Sequence, residues 1–332
     1  MCPQIAIVYN EPCPSRYDAA GEEKAVLGVL EAVEAVQQAL KELGHTVVRV
    51  PLLPPLELAG ERLKGLSVDL VFNLFEGFCG YPATEAVVPN ILLELGIPCT
   101  GCSGAVLALA LDKAKTKALL ESSGIDTPRY QVLIPETAST FQLGYPCIVK
   151  PLAEDASHGL SESSVVNGFS SLAKQVALVS SFYGGQALVE EFIDGQEFNA
   201  TVLGNSECTV LPLSEIVYSL PSGMPRILSF DAKWEPDSLY FQGTKVVCPA
   251  QIPARERERI AEMALAVFRL LGCQGYARVD MRLDNEGRPK VLEVNPNPDI
   301  SPGSGAARQA EAAGMTYAQF VEKIVQLALE KK

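Results

Sequence analysis

The chain is poor in histidine, tryptophan and base. His45, His158 and Trp234 are its only members of the first two types, and 27 Lys and Arg stand against 40 Asp and Glu, a formal charge of −13 over 332 residues. So acidic a protein argues against non-specific binding to nucleic acid or to an anionic membrane, because both need clustered cations to displace counterions. Phosphate binding stays open, since a few placed lysines and a divalent cation can hold a nucleotide in an acidic protein. No apolar run approaches the roughly 20 residues that span a bilayer. Met1 to Val8 enters a short apolar run with no basic segment before it and no cleavage site after it. We therefore expect no signal peptide and a cytoplasmic location. The nine cysteines are odd in number and scattered, unlike a disulfide framework. Cys99 and Cys102 form a C-x-x-C, but with no second pair nearby and only two histidines it reads as small buried thiols rather than a metal or redox centre. A G-x-G-x-x-G after the first strand is also missing, which argues against a nicotinamide-dinucleotide enzyme.

What is present points to a globular protein. Hydrophobic residues make up 48% and charged ones 20%, enough apolar surface for a core, and the length suits two or three packed lobes. Residues 5–9 read as a buried strand. Over 23–43, Val26, Val29, Leu30, Val33, Leu40 and Leu43 recur at helical spacing, and Gly44 is the stop. Strands at 46–50 and 70–74 and an interrupted helix at 84–95 carrying Pro89 complete an alternation that implies a doubly wound parallel α/β lobe over 1–110. One helix is predicted over 104–122. The segment 111–190 holds a strand ending at Lys150, a Gly- and Ser-containing loop, a weakly amphipathic helix and a strand at 187–192, a small α+β lobe. The remainder, 191–332, offers strands at 196–203, 276–283 and 289–295 and helices at 254–271 and 316–330. Its Pro-, Ser- and Gly-rich stretch at 219–243 is long enough to be a lid.

The hairpin formed by the last two strands is the most informative segment. Alternation places Arg278 with Asp280 on one face, and Glu293 with Asn295. A four-residue turn at 285–288 pairs 284 with 289, and therefore Asp280 with Glu293 and Arg278 with Asn295. Directly opposed side chains have Cβ atoms roughly 4.5–5.5 Å apart. Two facing carboxylates and an amide oxygen repel one another unless a cation sits among them, and Mg2+ is the natural occupant. The alternative is a solvated sheet face with Arg278 as counter-ion.

Two weaker signals lie upstream. Lys150 ends an apolar strand beside Glu154-Asp-Ala-Ser-His-Gly159, a loop whose amides and lysine could contact phosphate, although a surface lysine and a bystander His158 fit equally. Glu190, Glu191 and Glu197 flank Phe192, Ile193 and the Asp194-Gly195 turn. That bend could hold an adenine and a ribose, or be a plain acidic hairpin.

In order and spacing these pieces resemble the ATP-grasp superfamily, and within it D-alanine:D-alanine ligase and its relatives. The resemblance is patchy over 1–100 and continuous from about 100 to 330. It rests on Gly96-Ile-Pro-Cys-Thr-Gly, Leu111-Asp-Lys-Ala-Lys-Thr-Lys, Val149-Lys-Pro, Val189-Glu-Glu-Phe-Ile-Asp-Gly-Gln-Glu-Phe, Cys248-Pro-Ala, Ala277-Arg-Val-Asp and Leu292-Glu-Val-Asn-Pro-Asn-Pro. It implies a three-lobed fold in which two α+β lobes clamp ATP. Lys113 and Lys150 match lysines on the nucleotide phosphates, Glu190, Phe192 and Ile193 the adenine hinge, and Glu197 the ribose carboxylate. Asp280, Glu293 and Asn295 match the ligands of two Mg2+ ions, with Mn2+ as a substitute, and Arg278 the arginine that stabilises a tetrahedral oxyanion. Lys233 and Trp234 match the lysine and aromatic of the lid, Ser157 a serine of the phosphate loop, and Ser304 the site for the second amino acid's carboxylate. The resemblance also suggests a homodimer.

Departures from the family fall on the acceptor half. Asn10-Glu-Pro-Cys-Pro-Ser replaces the usual Gly-Gly-x-Ser, leaving Glu22 or Glu23 as loose candidates for the glutamate that anchors an amino group. Glu76-Gly77 replaces a His-Gly, Ala156 a serine, and Asp299 a glycine. The resemblance thus implies an ATP-dependent ligase that joins a small-molecule carboxylate to an amine through an acyl phosphate, on an amino acid or amino-acid-like substrate other than D-alanine. True D-alanine:D-alanine ligase and a non-catalytic nucleotide-binding module are the rival expectations.

Overall fold

The computed structural model describes residues 3–22 and 24–330. The first strand, β1 (Gln4–Asn10), is apolar from Ile5 to Tyr9, as suits a strand covered on both faces. Helix α1 (Lys24–Glu42) and strand β2 (Thr46–Leu52) follow, then α2 (Leu56–Lys64), β3 (Leu70–Leu74) and α3 (Val87–Glu94). The strands form a parallel sheet in the order β2-β1-β3. Alternation along β1 sends Ile5, Ile7 and Tyr9 toward Val29, Val33 and Leu40 of α1, and Ala6 and Val8 toward Ala59 and Leu63 of α2 and Val88 and Leu92 of α3. Helices thus lie on both faces, as the doubly wound reading requires. Leu30 is an exception to the predicted apolar stripe, 38% exposed, and the side chain of Val26 lies outside the described ones.

The single helix expected over 104–122 is two, α4 (Gly104–Leu111) and α5 (Lys113–Ser122). Asp112 breaks it by leaving the helical region (φ −82°, ψ 92°) and capping α5 through its side chain, which accepts from Lys115 N at 3.0 Å. The break redirects the chain so that Lys113 and Lys117, one helical turn apart, both point into the molecule.

The next strands, β4 (Tyr130–Leu133), β5 (Cys147–Pro151), β6 (Val165–Val166) and, after α6 (Phe169–Phe182), β7 (Ala187–Glu191), make an antiparallel sheet in the order β4-β7-β5-β6. Leu172, Val176 and Val179 of α6 close its core. A second antiparallel sheet comprises β8 (Glu197–Gly204), β9 (Cys208–Val210), β10 (Ser214–Tyr218), then, beyond helices α7 (Phe230–Trp234) and α8 (Leu239–Gly243), β11 (Thr244–Val247), and after α9 (Ala254–Leu270) the hairpin β12 (Gly275–Leu283) and β13 (Pro289–Asn295). Its order is β11-β10-β8-β12-β13, with β9 on β8. One face packs Phe198, Ala200, Ala277, Val279 and Met281 against Ile260, Ala264 and Val267 of α9. The opposite face carries Glu197, Asn199, Arg278, Asp280 and Arg282. Helix α10 (Gly305–Ala312) follows, and α11 (Tyr317–Leu329) crosses back to bury Phe320, Val321 and Ile324 against the first sheet. Among the described residues no helix is long and apolar enough to cross a membrane.

The hairpin register corrects the predicted turn while keeping its consequence. Leu283 pairs with Pro289, so the loop has five residues, ordered by Asp284, whose Oδ1 accepts from Glu286 N and Arg288 N, each at 2.9 Å. A bulge at Leu292 then restores the alignment, and Asp280 stands opposite Glu293 and Arg278 opposite Asn295 as expected.

Candidate active site

The polar face of the larger sheet and the end of the smaller one enclose a cleft. Lys113, Lys150, Ser157, Glu190, Phe192, Ile193, Glu197, Lys233, Asp280 and Glu293, ten residues that sequence reasoning singled out, all line it. Asn295 lines an adjoining recess with Lys113 and Glu293.

At the hairpin, Arg278 grips Asp280 through two parallel bonds, Nε to Oδ1 at 2.8 Å and Nη2 to Oδ2 at 2.9 Å. Asn295 Nδ2 donates to Oδ2 at 3.0 Å and Asn199 Nδ2 to Oδ1 at 2.6 Å. Glu293 lies 3.9 Å from Lys113 Nζ. Burial alone would raise its pKa, but the charges of Lys113, Lys150, Lys233 and Arg278 outweigh burial and hold it at about 2. Burial pushes Lys113 and Lys233 below the usual ammonium range, offset in part by Glu293. Four cations therefore converge on two carboxylates, a surplus of positive charge suited to a polyanion. The oxygen donors of Asp280, Glu293 and Asn295 are the hard type that Mg2+ takes. Among the described residues no three or more His, Cys, Asp or Glu cluster to hold a metal, so ions here would lean on ligand oxygens as well.

Under the cleft, Glu190 is paired with both Lys117 and Lys150, its carboxylate and both ammonium groups almost wholly buried. Its side chain thus serves the lysines, a role the sequence reading did not give it. Glu197 accepts from Arg282 Nε at 3.0 Å and from Tyr218 OH at 2.6 Å. Lys117, Asn199 and Arg282 were missed, although the signals were present. Lys117 follows Lys113 by four residues on one helix face, and Asn199 and Arg282 alternate in phase with Glu197 and Asp280 on strands.

The 219–243 segment is not a bare loop, since α7 and α8 lie within it. Ser157 Oγ donates to Leu228 O at 2.8 Å, Phe230 N to Leu160 O at 3.0 Å, and Trp234 Nε1 to Ala156 O at 3.4 Å. These bonds fasten the segment over the 154–160 loop and bring Lys233 into the cleft. Ser304 caps α10, its Oγ donating to Asp299 O at 2.9 Å, and the next residue, Gly305, abuts Arg278.

Glu22 is not open to a substrate amine. Its carboxylate accepts from Gly159 N at 3.0 Å and Tyr183 OH at 2.9 Å and bonds His158 Nδ1 at 2.7 Å. Its rival, Glu23, lies outside the described residues. Glu76 keeps access to solvent, but the protein packed around its carboxyl strips much of its hydration, and this desolvation, with the charges of Asp299 and Asp155, pushes it up to about 8.

A four-stranded antiparallel sheet and a larger one closing on a lysine-rich cleft define the ATP-grasp architecture. Residues 119–326 match the family model described as D-ala D-ala ligase C-terminus. The chain is 32% identical to a D-alanine–D-alanine ligase of Pelotomaculum thermopropionicum, covering 91% of this chain and 92% of that one. It is 35% identical to an uncharacterized protein of Sinorhizobium fredii, over 89% and 86% of the two. Among solved structures, the Bacillus anthracis D-alanine–D-alanine ligase complexed with ATP superposes with a TM-score of 0.76 at 23% identity, over 99% of this chain and 98% of that one. The VanG D-Ala:D-Ser ligase of Enterococcus faecalis gives 0.76 at 22%, over 99% and 100%. The chain therefore belongs to the D-alanine–D-alanine ligase family, enzymes of ATP-grasp fold.

Proposed function

We propose that the protein couples ATP hydrolysis to amide-bond formation between an amino acid, or an amino-acid-like acid, and an amine, on a pair other than two D-alanines. The observation that carries the chemistry is the convergence of Lys113, Lys150, Lys233 and Arg278 on the Asp280–Glu293 pair. Transfer of a phosphoryl group to a carboxylate needs little covalent help from protein, and depends on positioning and on neutralising charge. In this reading Lys113 and Lys150 hold phosphate oxygens, Phe192 and Ile193 flank the base and Glu197 the ribose. Asp280, Glu293 and Asn295 would hold Mg2+, which supplies charge neutralisation of the triphosphate. Lys233, carried on the lid, reaches the same charge, and Arg278 faces the oxyanion formed when the amine attacks. The lid keeps water from the acyl phosphate.

The substrate assignment rests on the other end of the cleft. Glu22 is consumed by loop contacts, and acidic side chains stand at 76 and 299, where the family has histidine and glycine. A cation bound beside them would relieve the repulsion from Asp299 that helps keep Glu76 protonated, so this pair favours a substrate with an ammonium group placed differently from that of D-alanine. Relatives bearing the D-alanine–D-alanine ligase name favour the second reading, the dipeptide ligase itself. ADP release with Mg-ATP and D-alanine, and then with a panel of amino acids and small amino-group-bearing acids, separates the two. Turnover with D-alanine alone refutes the proposal, and turnover only with another pair supports it. Nucleotide binding without ADP across the panel would identify a non-catalytic module.

A further inference from the structure

The first lobe reaches across to the loop that walls the nucleotide cleft. Just before α1, the segment carrying Arg16, Tyr17 and Glu22 meets residues 154–159. Tyr17 stacks on His158 with ring centroids 3.7 Å apart and planes 3° from parallel. Its hydroxyl donates to Glu154 Oε2 at 2.6 Å, and Arg16 pairs with the other oxygen of Glu154. Glu22 bonds His158 Nδ1, Gly159 N and Tyr183 OH within 3.0 Å. Glu22, Tyr17, Glu154 and His158 are each at most 8% exposed, so this is a buried joint and not a surface contact.

The loop needs such a joint. Ala156 and Ser157, both non-glycine, sit at φ 47° and 66°, a left-handed conformation that side chains disfavour. The bonds to the lid engage the same stretch from the far side, and Phe230 of the lid lies 5.7 Å from the His158 ring. A loop whose shape is disfavoured locally keeps it only while its surroundings supply the difference.

We infer that Glu22 is a positioning residue that, through His158, Gly159 and Tyr183, holds the 154–159 loop in its phosphate-receiving shape and so couples the first lobe to ATP. This rests on the nucleotide reading above. When only a fraction of molecules hold the loop in that shape, apparent affinity for the phosphates falls by the same fraction. Binding of the base and ribose, which the 190–197 bend would carry, is untouched.

Calorimetry with the full-length protein tests this, using Mg-ADP and adenosine as probes. Glu22→Ala and His158→Phe should weaken Mg-ADP by about tenfold while adenosine stays within about twofold of wild type. Glu22→Gln, whose amide oxygen still accepts from Gly159 N and Tyr183 OH, should recover part of the loss. Should Glu22→Ala fail to melt cooperatively, Glu22→Gln and Tyr183→Phe make the same comparison. Equal losses for Mg-ADP and adenosine, or none for Mg-ADP, overturn the inference. A wild-type protein that binds neither probe overturns the nucleotide reading itself, which keeps the two failures apart.

Discussion

Glu190 carries one negative charge against two buried ammonium groups, those of Lys117 and Lys150. Removing the carboxylate and removing one lysine are therefore unequal changes. Glu190→Gln strands two buried cations and should cost about 3–5 kcal/mol in urea unfolding, whereas Lys117→Met leaves Glu190 balanced by Lys150 and should cost less than half of that. Burial lowers Lys117 from 10.5 to about 8. Below pH 8 the folded and unfolded chains both hold its proton. Between about 8 and 10.5 the unfolded chain holds more, so stability rises with pH, and wild type should gain on Lys117→Met across that window. At the hairpin, Glu293→Gln removes the charge on which four cations converge, and ADP release should fall by about a hundredfold or more with the fold intact by circular dichroism. Asp280 and Glu293 were readable from alternation alone. The inward turn of Glu190 was not, because nothing in a strand's own sequence says which lysines will lie beneath it.

Elements set which of these residues can act together. Asp112 ends α4 and starts α5, and the redirection buries Lys113 and Lys117, a geometry that one continuous helix would not give. The bulge at Leu292 offsets a turn one residue longer than expected, so that the carboxylates still face each other. Local sequence missed both features, since each depends on a backbone conformation chosen by neighbouring elements. The 219–243 segment, the proposed lid, makes its prediction at this scale. With Trp234 bonded to Ala156 O and packed near Gly28, Trp234→Ala should loosen closure and let water compete for the acyl phosphate. The ratio of ADP released to amide formed should then rise above one, while a lid without that role leaves the ratio unchanged.

Over the whole molecule, the chain's two ends share one core. Phe320, Val321 and Ile324 of α11 are wholly buried against α1 and the first sheet. Phe320→Ala should therefore cost about 3–5 kcal/mol. The loss should appear in the transition reported by the fluorescence of Trp234, far along the chain from residue 320 and carried on α7 beside Gly28 of α1. If Trp234 emission unfolds at an unchanged urea concentration while another probe shifts, the lobes unfold independently.

The sequence by itself determined the alternation of strands and helices in the first lobe and the shared faces of Arg278 with Asp280 and of Glu293 with Asn295. These follow from periods of 2 and 3.6, which chain-local chemistry controls. Tertiary structure alone decided that Glu190 neutralises two lysines, that Glu22 serves the 154–159 loop, and that α11 completes the first lobe. Each joins residues more than 30 positions apart. Burial in a shared interior chose those partners, because an unpaired charge or an uncovered apolar face is costly only once the surrounding elements have excluded water.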